Sequence, residues 1–556
     1  MIITAVDKSN MFLTRWRDKY GNRVENQIPY SNFQPYFYIL ASEQEKPFVM
    51  ISEYGQKFRV DLSYDVDGAV SLDGSLLKKV TWTPSKPGYT RTLRNEWDET
   101  FEADVPFHYR YAIDEVDTIP EYDLCKYYWD LEWQQGGEHD GAITCVSFYC
   151  SYNETYHVLY WLPERQDIKT INHTNRTVLV DFDTEKEMLD FFIAAINRDD
   201  PDMLISWFGS TFDLPKLIER FHVNGIDPRK ISPCADVKGV YFNDGIKLSK
   251  AAEGYSPIDQ PIRGRICLNL DLAFERQWND AQKGTLPSMA LDYVAETVLG
   301  EKKLVSEKFP DKNEFFAKAW LEDTETYLEY ALKDVELIVK LDAENYTSEA
   351  LLALQRLLIA PFDACFYASN MGSIYFMRKA TWKAPTGEKG ERKEYQGAMI
   401  YDPTEEGTHG LHLGVAAFDF ASLYPSMMIA RNISWETKSD EPTEFAVNIL
   451  TPRDFSEVVE EDYRYYTTDR LGLLPKAVLE LKELRDEYKE NMKNAKTESE
   501  KMKWYTNQMA VKRLMASFYG ITAYQGFGWA DIDLAASITA SSREAIRCAA
   551  FKVMEL

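Results

Sequence analysis

The sequence predicts an α/β protein of several domains, with a β-rich start, a mixed strand-and-helix middle and a strongly helical later part. Three observations predict this. The first hundred residues fall into short β-type runs such as Pro35–Leu40, separated by turn residues. From about Tyr122 strand-like and helix-like patterns alternate. Residues Leu474–Gly520 carry an almost unbroken helical pattern. At 556 residues the chain is too long for one core and should hold three or four domains.

In the middle part, Tyr127–Trp133 reads as a strand and Ala142–Tyr149 alternates apolar and polar residues. Helical stretches follow at Glu185–Asn197 and Leu214–Phe221, and a helix-rich stretch covers Thr324–Leu358. Val415–Phe420 is strand-like and leads into a helix after Tyr424. The Leu474–Gly520 helix breaks near Asn494–Ser499, where Thr497 and Glu500 form a capping box that starts a second helix. Two halves of about 20 residues make a helical hairpin reaching ~30 Å. There is no internal repeat and no low-complexity tract.

Composition narrows the function classes. No apolar run approaches a membrane span, and Met1–Asp7 lacks the pattern of a secretory leader. Seven cysteines are scattered without a C-x-x-C pair, which predicts reduced thiols in a cytoplasm and no zinc or disulfide framework. His409 and His412 lack cysteine or carboxylate partners and read as part of a Gly-rich turn. The net charge of −26 opposes a nucleic-acid role, because phosphate binding leaves a basic footprint. Phosphate-processing centres, however, need carboxylates for divalent cations, so individual sites decide.

Four carboxylates qualify. Asp130 and Glu132 stand two apart in a strand-like run and share one face, where they repel each other unless a cation lies between them. The bland alternative is an exposed sheet face. Asp213 precedes a helix-like run, and alone it would be an N-cap before an early Pro. Tyr330 and Asp334 are one helical turn apart, as on any amphipathic surface helix. Taken together, the order D-x-E, F-D-x-P and Y-x-x-x-D, at intervals of about 80 and 120 residues, resembles the three exonuclease motifs of family B DNA polymerases. The resemblance implies that Asp130, Glu132, Asp213 and Asp334 hold two Mg²⁺ ions, or Mn²⁺ in their place, and that Tyr330 orients the attacking water. It also implies an RNase H-like exonuclease domain. Phe208 stands where the family usually has an Asn that helps to position DNA.

A second set extends the resemblance. Asp419-Phe420-Ala421-Ser422-Leu423-Tyr424-Pro425-Ser426 is similar to the family's palm motif, and Lys512 to Gly520 to its fingers motif. By that likeness Asp419 and the Phe420 carbonyl bind metal. Ser422, Leu423 and Tyr424 contact the nucleotide, Tyr424 excluding a ribose. Arg485 and Lys512 clamp the triphosphate with Lys489 close by, and Tyr519 monitors the nascent pair. Ala516 replaces the usual Asn and Ser542 a usual Gly. Tyr395 and Gly397 resemble the template-tracking element, with Gly520 a further DNA contact. Residues 102–114 resemble the lead-in to the exonuclease domain of archaeal-type members, and the same analogy implies a uracil-sensing pocket near Pro35–Tyr36.

The implied layout is an N-terminal domain over residues 1–121 with 345–390 returning to it, an exonuclease domain over 122–344, palm over 391–470, fingers over 471–520 and an incomplete second palm part over 521–556. The second palm carboxylate motif and the thumb are not found. Asp531-Ile532-Asp533 lies too close to the fingers to supply that motif, and the apolar positions Ile546, Ala549, Ala550 and Val553 suggest an unfinished helix face. The expectation is a split or truncated polymerase, acting on primer–template DNA and dNTPs in the cytoplasm or nucleoid. A C-terminal fragment would supply an Asp and the thumb, with a sliding clamp as a further partner. The alternatives are a stand-alone 3′→5′ exonuclease and a non-catalytic replication scaffold.

Overall fold

A computed structural model describes the chain apart from residues 54, 165–175, 243–245, 249–253, 281–283, 388–393, 400–410, 412, 417, 525 and 556. It divides into two compact units, Met1–Asn32 with Val116–Phe366, and Phe33–Glu115 with Tyr367–Leu556. The region expected as one N-terminal domain, residues 1–121, is thus divided between them. No helix among the described residues is long and apolar enough to cross a membrane.

The first unit is built on a six-stranded sheet in the order Thr177–Phe182, Thr155–Trp161, Ile143–Cys150, Lys126–Trp133, Met203–Ser206, Ile266–Asn269. Ile143–Cys150 is antiparallel to both neighbours, and the other pairings are parallel. This is the RNase H-like arrangement. Lys126–Trp133 lies inside the sheet, so its period-2 pattern assigns each residue to one of two covered faces. Trp129 packs on Phe192 of helix Glu185–Asp199, with ring centroids 6.3 Å apart. Tyr128, Asp130 and Glu132 share the opposite face. There the Tyr128 hydroxyl donates to Asp342 at 2.6 Å, on helix Thr324–Asn345. Thr144 on the neighbouring strand bonds the Tyr327 hydroxyl at 2.7 Å and pins the same helix. The expected helix-rich stretch is therefore two helices, Thr324–Asn345 and Thr347–Leu358, separated at Tyr346, whose φ is 53°.

A second sheet of the unit pairs Ile2–Val6, Met11–Arg17 and Arg23–Pro29 antiparallel. Its arginines hold the segment before Met203–Ser206. Arg17 reaches Asp202 at 2.7 Å, and Arg15 and Arg23 each reach Asp200 at 2.8 Å. Arg265 joins them at 2.8 Å from Asp200. Asp202 is fully buried, where Arg17 and Arg23 compensate its carboxylate.

The second unit starts with a four-stranded antiparallel sheet in the order Tyr36–Leu40, Leu77–Thr83, Gln56–Asp65, Phe48–Glu53. Phe37, Ile39, Val60, Val80, Trp82 and Leu93 form its buried core. Tyr36 is buried as well: its hydroxyl donates to Asp114 at 2.5 Å, and the Arg110 guanidinium lies 4.8 Å from its ring. The helical hairpin consists of Leu473–Asn494 and Glu498–Thr522, longer than expected. Thr497 is its N-cap, accepting from the Glu500 amide at 3.1 Å. Phe518 anchors the hairpin by packing on Tyr375 and Phe376 of helix Ala368–Lys379. Helix Ile532–Met554 follows.

One expected element is not formed. The described residues of Val415–Phe420 are not a strand, and Val415 and Phe418 are 73% and 86% exposed. Strand residues need a ladder partner, and among the described residues none pairs with this run. His409 and His412 lie outside the described residues.

Candidate active site

In the first unit, sheet and helix bring the predicted carboxylates together. Asp130, Glu132 and Asp334 each offer an oxygen to a group whose atoms all lie within 4.8 Å of one another. Glu132 and Asp334 are buried, and the Asp334 Oδ1 atom has no hydrogen-bond partner. Asp213 opens helix Asp213–Val223 and is also buried. The N-cap is Phe212, with no side-chain cap bond, so the Asp213 carboxylate is not used up in starting the helix.

Burial pushes all four acids upward, because a low-dielectric site disfavours charge. Asp130 is raised well above the usual range by burial, then by Asp213, Asp334 and Glu132. Glu132 is raised by burial and then by Asp334. Burial pushes Asp213 up to about 7, with Lys303 pulling against it and Asp334 adding repulsion. Asp334 is raised by burial although Lys303 opposes it. Crowded, desolvated carboxylates with an orphaned oxygen are a donor set that fits divalent cations.

Lys303 was not found from sequence. Its ammonium donates to Asp334 at 2.5 Å and to the Tyr330 hydroxyl at 3.2 Å. It stands beyond helix Leu291–Leu299, and its amide donates to Asp292 at 2.8 Å. A lysine in a loop carries no period or spacing, so only the folded chain reveals its partners. Tyr330 is itself held between the rings of Phe315 and Phe316, at 5.1 and 5.7 Å.

The turn that carries Asp213 is tight. A Cβ on Gly209 would fall 1.6 Å from the Ser206 hydroxyl, so the position requires glycine. The Gly209 carbonyl accepts from Leu214 at 2.7 Å and the Phe208 carbonyl from Phe212 at 3.1 Å. These bonds bring the Phe208 and Phe212 rings into edge contact at 6.1 Å, 71° apart.

In the second unit the predicted residues are placed more loosely. Asp419 and Phe420 are exposed, and Ser422 adopts a left-handed conformation, φ 54°, just before helix Leu423–Ala430. Tyr424 packs on Tyr519 at 4.5 Å, and the Tyr519 and Tyr395 hydroxyls bond at 2.8 Å. Buried Arg543 donates to the Gln396 and Gly397 carbonyls at 2.8 and 2.6 Å and fixes the Tyr395–Gly397 segment. Arg485 donates to Gln508 at 3.2 Å across the hairpin, one turn from Lys512 on the same helix face. Lys489 instead pairs with Asp486 on its own helix, at 3.2 Å. Ala516 and Gly520 are exposed, whereas Ser542 is buried and bonds back to the Ile538 carbonyl at 2.8 Å. Asp531 caps helix Ile532–Met554 and pairs with Lys438 at 3.0 Å, and Asp533 pairs with Lys438 and Arg464 at 3.0 and 2.8 Å. Both are neutralised by protein partners.

Two family models match. Residues 134–273 match DNA polymerase family B, exonuclease domain, and residues 369–555 match DNA polymerase family B. The chain belongs to DNA polymerase family B. The exonuclease match includes Asp213, and the polymerase match runs from before Tyr395 to beyond Arg543. This family B chain is 29% identical to a DNA polymerase of Pyrococcus glycovorans over 474 residues, covering 81% of the chain and 54% of that protein. It is 26% identical to that of Thermococcus gorgonarius over 552 residues, or 94% and 64%. It therefore spans about half the length of the first curated relatives it matches. The solved family B DNA polymerase of the hyperthermophilic archaeon Pyrobaculum calidifontis shares its fold, with a TM-score of 0.70, 18% identity and coverage of 100% of this chain and 71% of that one.

Proposed function

We propose that this chain carries out template-directed DNA synthesis with 3′→5′ proofreading, and that synthesis draws a second palm carboxylate and a thumb from a C-terminal fragment, whether continuous with these residues or separate. The observation that carries the exonuclease part is the meeting of Asp130, Glu132 and Asp334 beneath helix Thr324–Asn345, with Asp213 close enough to raise Asp130. Two Mg²⁺ ions, or Mn²⁺ in their place, would neutralise charge on the phosphate and supply a water of lowered pKa when bound there. Tyr330 keeps its proton, because burial and Asp334 raise its pKa, and it can orient a water by hydrogen bonding. Lys303 offsets part of the cluster's charge and fixes Asp334 and Tyr330 relative to each other.

The polymerase part rests on Asp419, the Tyr424–Tyr519–Tyr395 cluster and the hairpin cations Arg485 and Lys512, which suit a dNTP sugar and triphosphate. Among the described residues the carboxylate cluster lies only in the first unit, which also favours a second reading: these residues by themselves act as an exonuclease. The test uses the purified chain with a 3′-recessed primer–template, Mg²⁺ and four dNTPs. Shortening without extension is expected, with extension appearing once a polypeptide bearing the second palm Asp and thumb is added. Asp130→Ala with Glu132→Ala should abolish shortening. Template-directed extension by the chain alone would overturn the need for a second fragment.

A further inference from the structure

The cysteines are scattered along the sequence, yet the fold of the first unit brings two of them together. Cys125 directly precedes strand Lys126–Trp133, and Cys150 ends the neighbouring strand Ile143–Cys150. Cys150 lies opposite Tyr127 in the antiparallel register, so Cys125 falls on the same face as its diagonal neighbour. Both are buried, and their sulfurs are 4.0 Å apart. The backbone frames the pair closely. The Cys125 amide donates to Asp202 at 2.9 Å, and its carbonyl accepts from the Asp202 and Met203 amides at 2.8 and 3.2 Å. Across the strands, the Ser151 amide donates to the Lys126 carbonyl at 3.0 Å.

The two sulfurs are not equivalent. The Cys125 thiol bonds toward Cys150, and the Asn153 and Tyr152 amides add to it, so Cys150 is lowered despite its burial. Cys125 is raised, by that same bond and then by burial. Burial pushes the thiols of Cys145, Cys234 and Cys267 up as well. One thiolate-prone sulfur beside one that keeps its proton is the arrangement of an attacking and a resolving cysteine. Access runs through the turn that follows Cys150. Tyr152 in that turn is 47% exposed, held by its hydroxyl donating to the Asp123 carbonyl at 2.7 Å and by Arg17, 4.9 Å from its ring. Local opening of such a turn admits a small oxidant without unfolding the sheet.

We propose that Cys125 and Cys150 are a hydroperoxide-reactive dithiol that closes to a reversible disulfide, tying the strand of Asp130 and Glu132 to its neighbour. The Cys150 thiolate attacks one peroxide oxygen and the O–O bond breaks. Its sulfur becomes a sulfenic acid, and the second oxygen leaves as hydroxide, which is protonated to water. The Cys125 sulfur then gives up its proton and attacks the Cys150 sulfur. The S–S bond forms, the S–O bond breaks and a second water leaves. Two thiols are oxidised by two electrons in all, and one peroxide is reduced to two waters. Bonding at about 2.05 Å requires the sulfurs to close a gap of about 2 Å, which side-chain rotation and a small shift at the two strand ends supply.

The experiment exposes the full, folded chain to hydrogen peroxide, alkylates the remaining thiols and maps the peptides by mass spectrometry without reduction. The peptides bearing Cys125 and Cys150 should be joined with the loss of two hydrogens, and dithiothreitol should separate them. Cys150 should lose its free thiol at least about 10-fold faster than Cys145 and Cys267, which are also buried. Cys125→Ser should stop the reaction at a Cys150 sulfenic acid that dimedone traps, and Cys150→Ser should leave Cys125 a free thiol. Oxidation of the exposed Cys548 while Cys125 and Cys150 both stay free would overturn the proposal. So would a cross-link that forms only as Cys145 and Cys267 become alkylated, because that marks an unfolded chain.

Discussion

Lys303 shows how much one side chain decides at a crowded acidic site. Four crowded carboxylates, three of them buried, repel one another, and among the described residues Lys303 offsets them most strongly. Removing one partner of a buried pair typically costs about 3–5 kcal/mol. Lys303→Met should therefore lower the melting temperature of the metal-free protein by about 5–10 °C. Adding Mg²⁺ should then raise the melting temperature of the variant more than that of the wild type. Equal Mg²⁺-induced shifts in calorimetry would mean that lysine and cation do not share this role. The residues that were legible in the sequence are those whose partners lie at a fixed local spacing. Asp130 and Glu132 share a face because strands have period 2, and Tyr330 and Asp334 because helices return after four residues. Lys303 has no such spacing to Asp334, so nothing local announces it.

At the scale of elements, a strand-like pattern predicts a strand where the fold supplies neighbours on both sides, and fails where among the described residues none pairs with it. Lys126–Trp133 is paired on both sides and covered on both faces, and its pattern is unambiguous. Val415–Phe418 has an equally strand-like composition, but composition does not supply a partner strand. The arginine-rich edge of Met11–Arg17 and Arg23–Pro29 is equally unreadable, since apart from Glu25 beside Arg15 the carboxylates it meets, Asp200 and Asp202, lie 177 to 185 residues away. Its contribution can be measured. Burial alone would raise Asp200, but Arg265, Arg15 and Arg23 overcome that and hold it well below the usual carboxylate range. A depressed folded pKa gives stability that is present above the unfolded value of about 3.9 and is lost as pH falls below it. Asp200→Asn should therefore cost ~2–4 kcal/mol at pH 7, allowing for partial exposure. The gap to the wild type should narrow as the pH drops below about 4. A gap in urea melts that stays constant from pH 7 to pH 3 would mean the arginines do not act through its charge.

For the whole molecule, under the proposed function, the net charge of −26 bears on how DNA would be held. Each phosphate neutralised on a single strand contributes about −0.7 to the slope of log affinity against log salt. If few phosphates are gripped, as the acidic average favours, that slope should be shallower than about −2 for a short single strand. A slope of about −5 or steeper would instead reveal a basic track that compensates for the acidic average.

The order of the two units along the chain has a consequence in time. Arg15 and Arg23 emerge early from a ribosome, whereas Asp200 follows Arg23 by 177 residues. At about 5–20 residues per second the arginines wait roughly 9–35 s for their carboxylates. Throughout that interval only Arg15 has a native carboxylate partner at hand, Glu25 on the neighbouring strand, and all of Phe33–Glu115, which belongs to the other unit, is made before Asp200 and Asp202 arrive. The nascent chain therefore fills both units alternately, and the first unit can be completed only once Phe366 has been made.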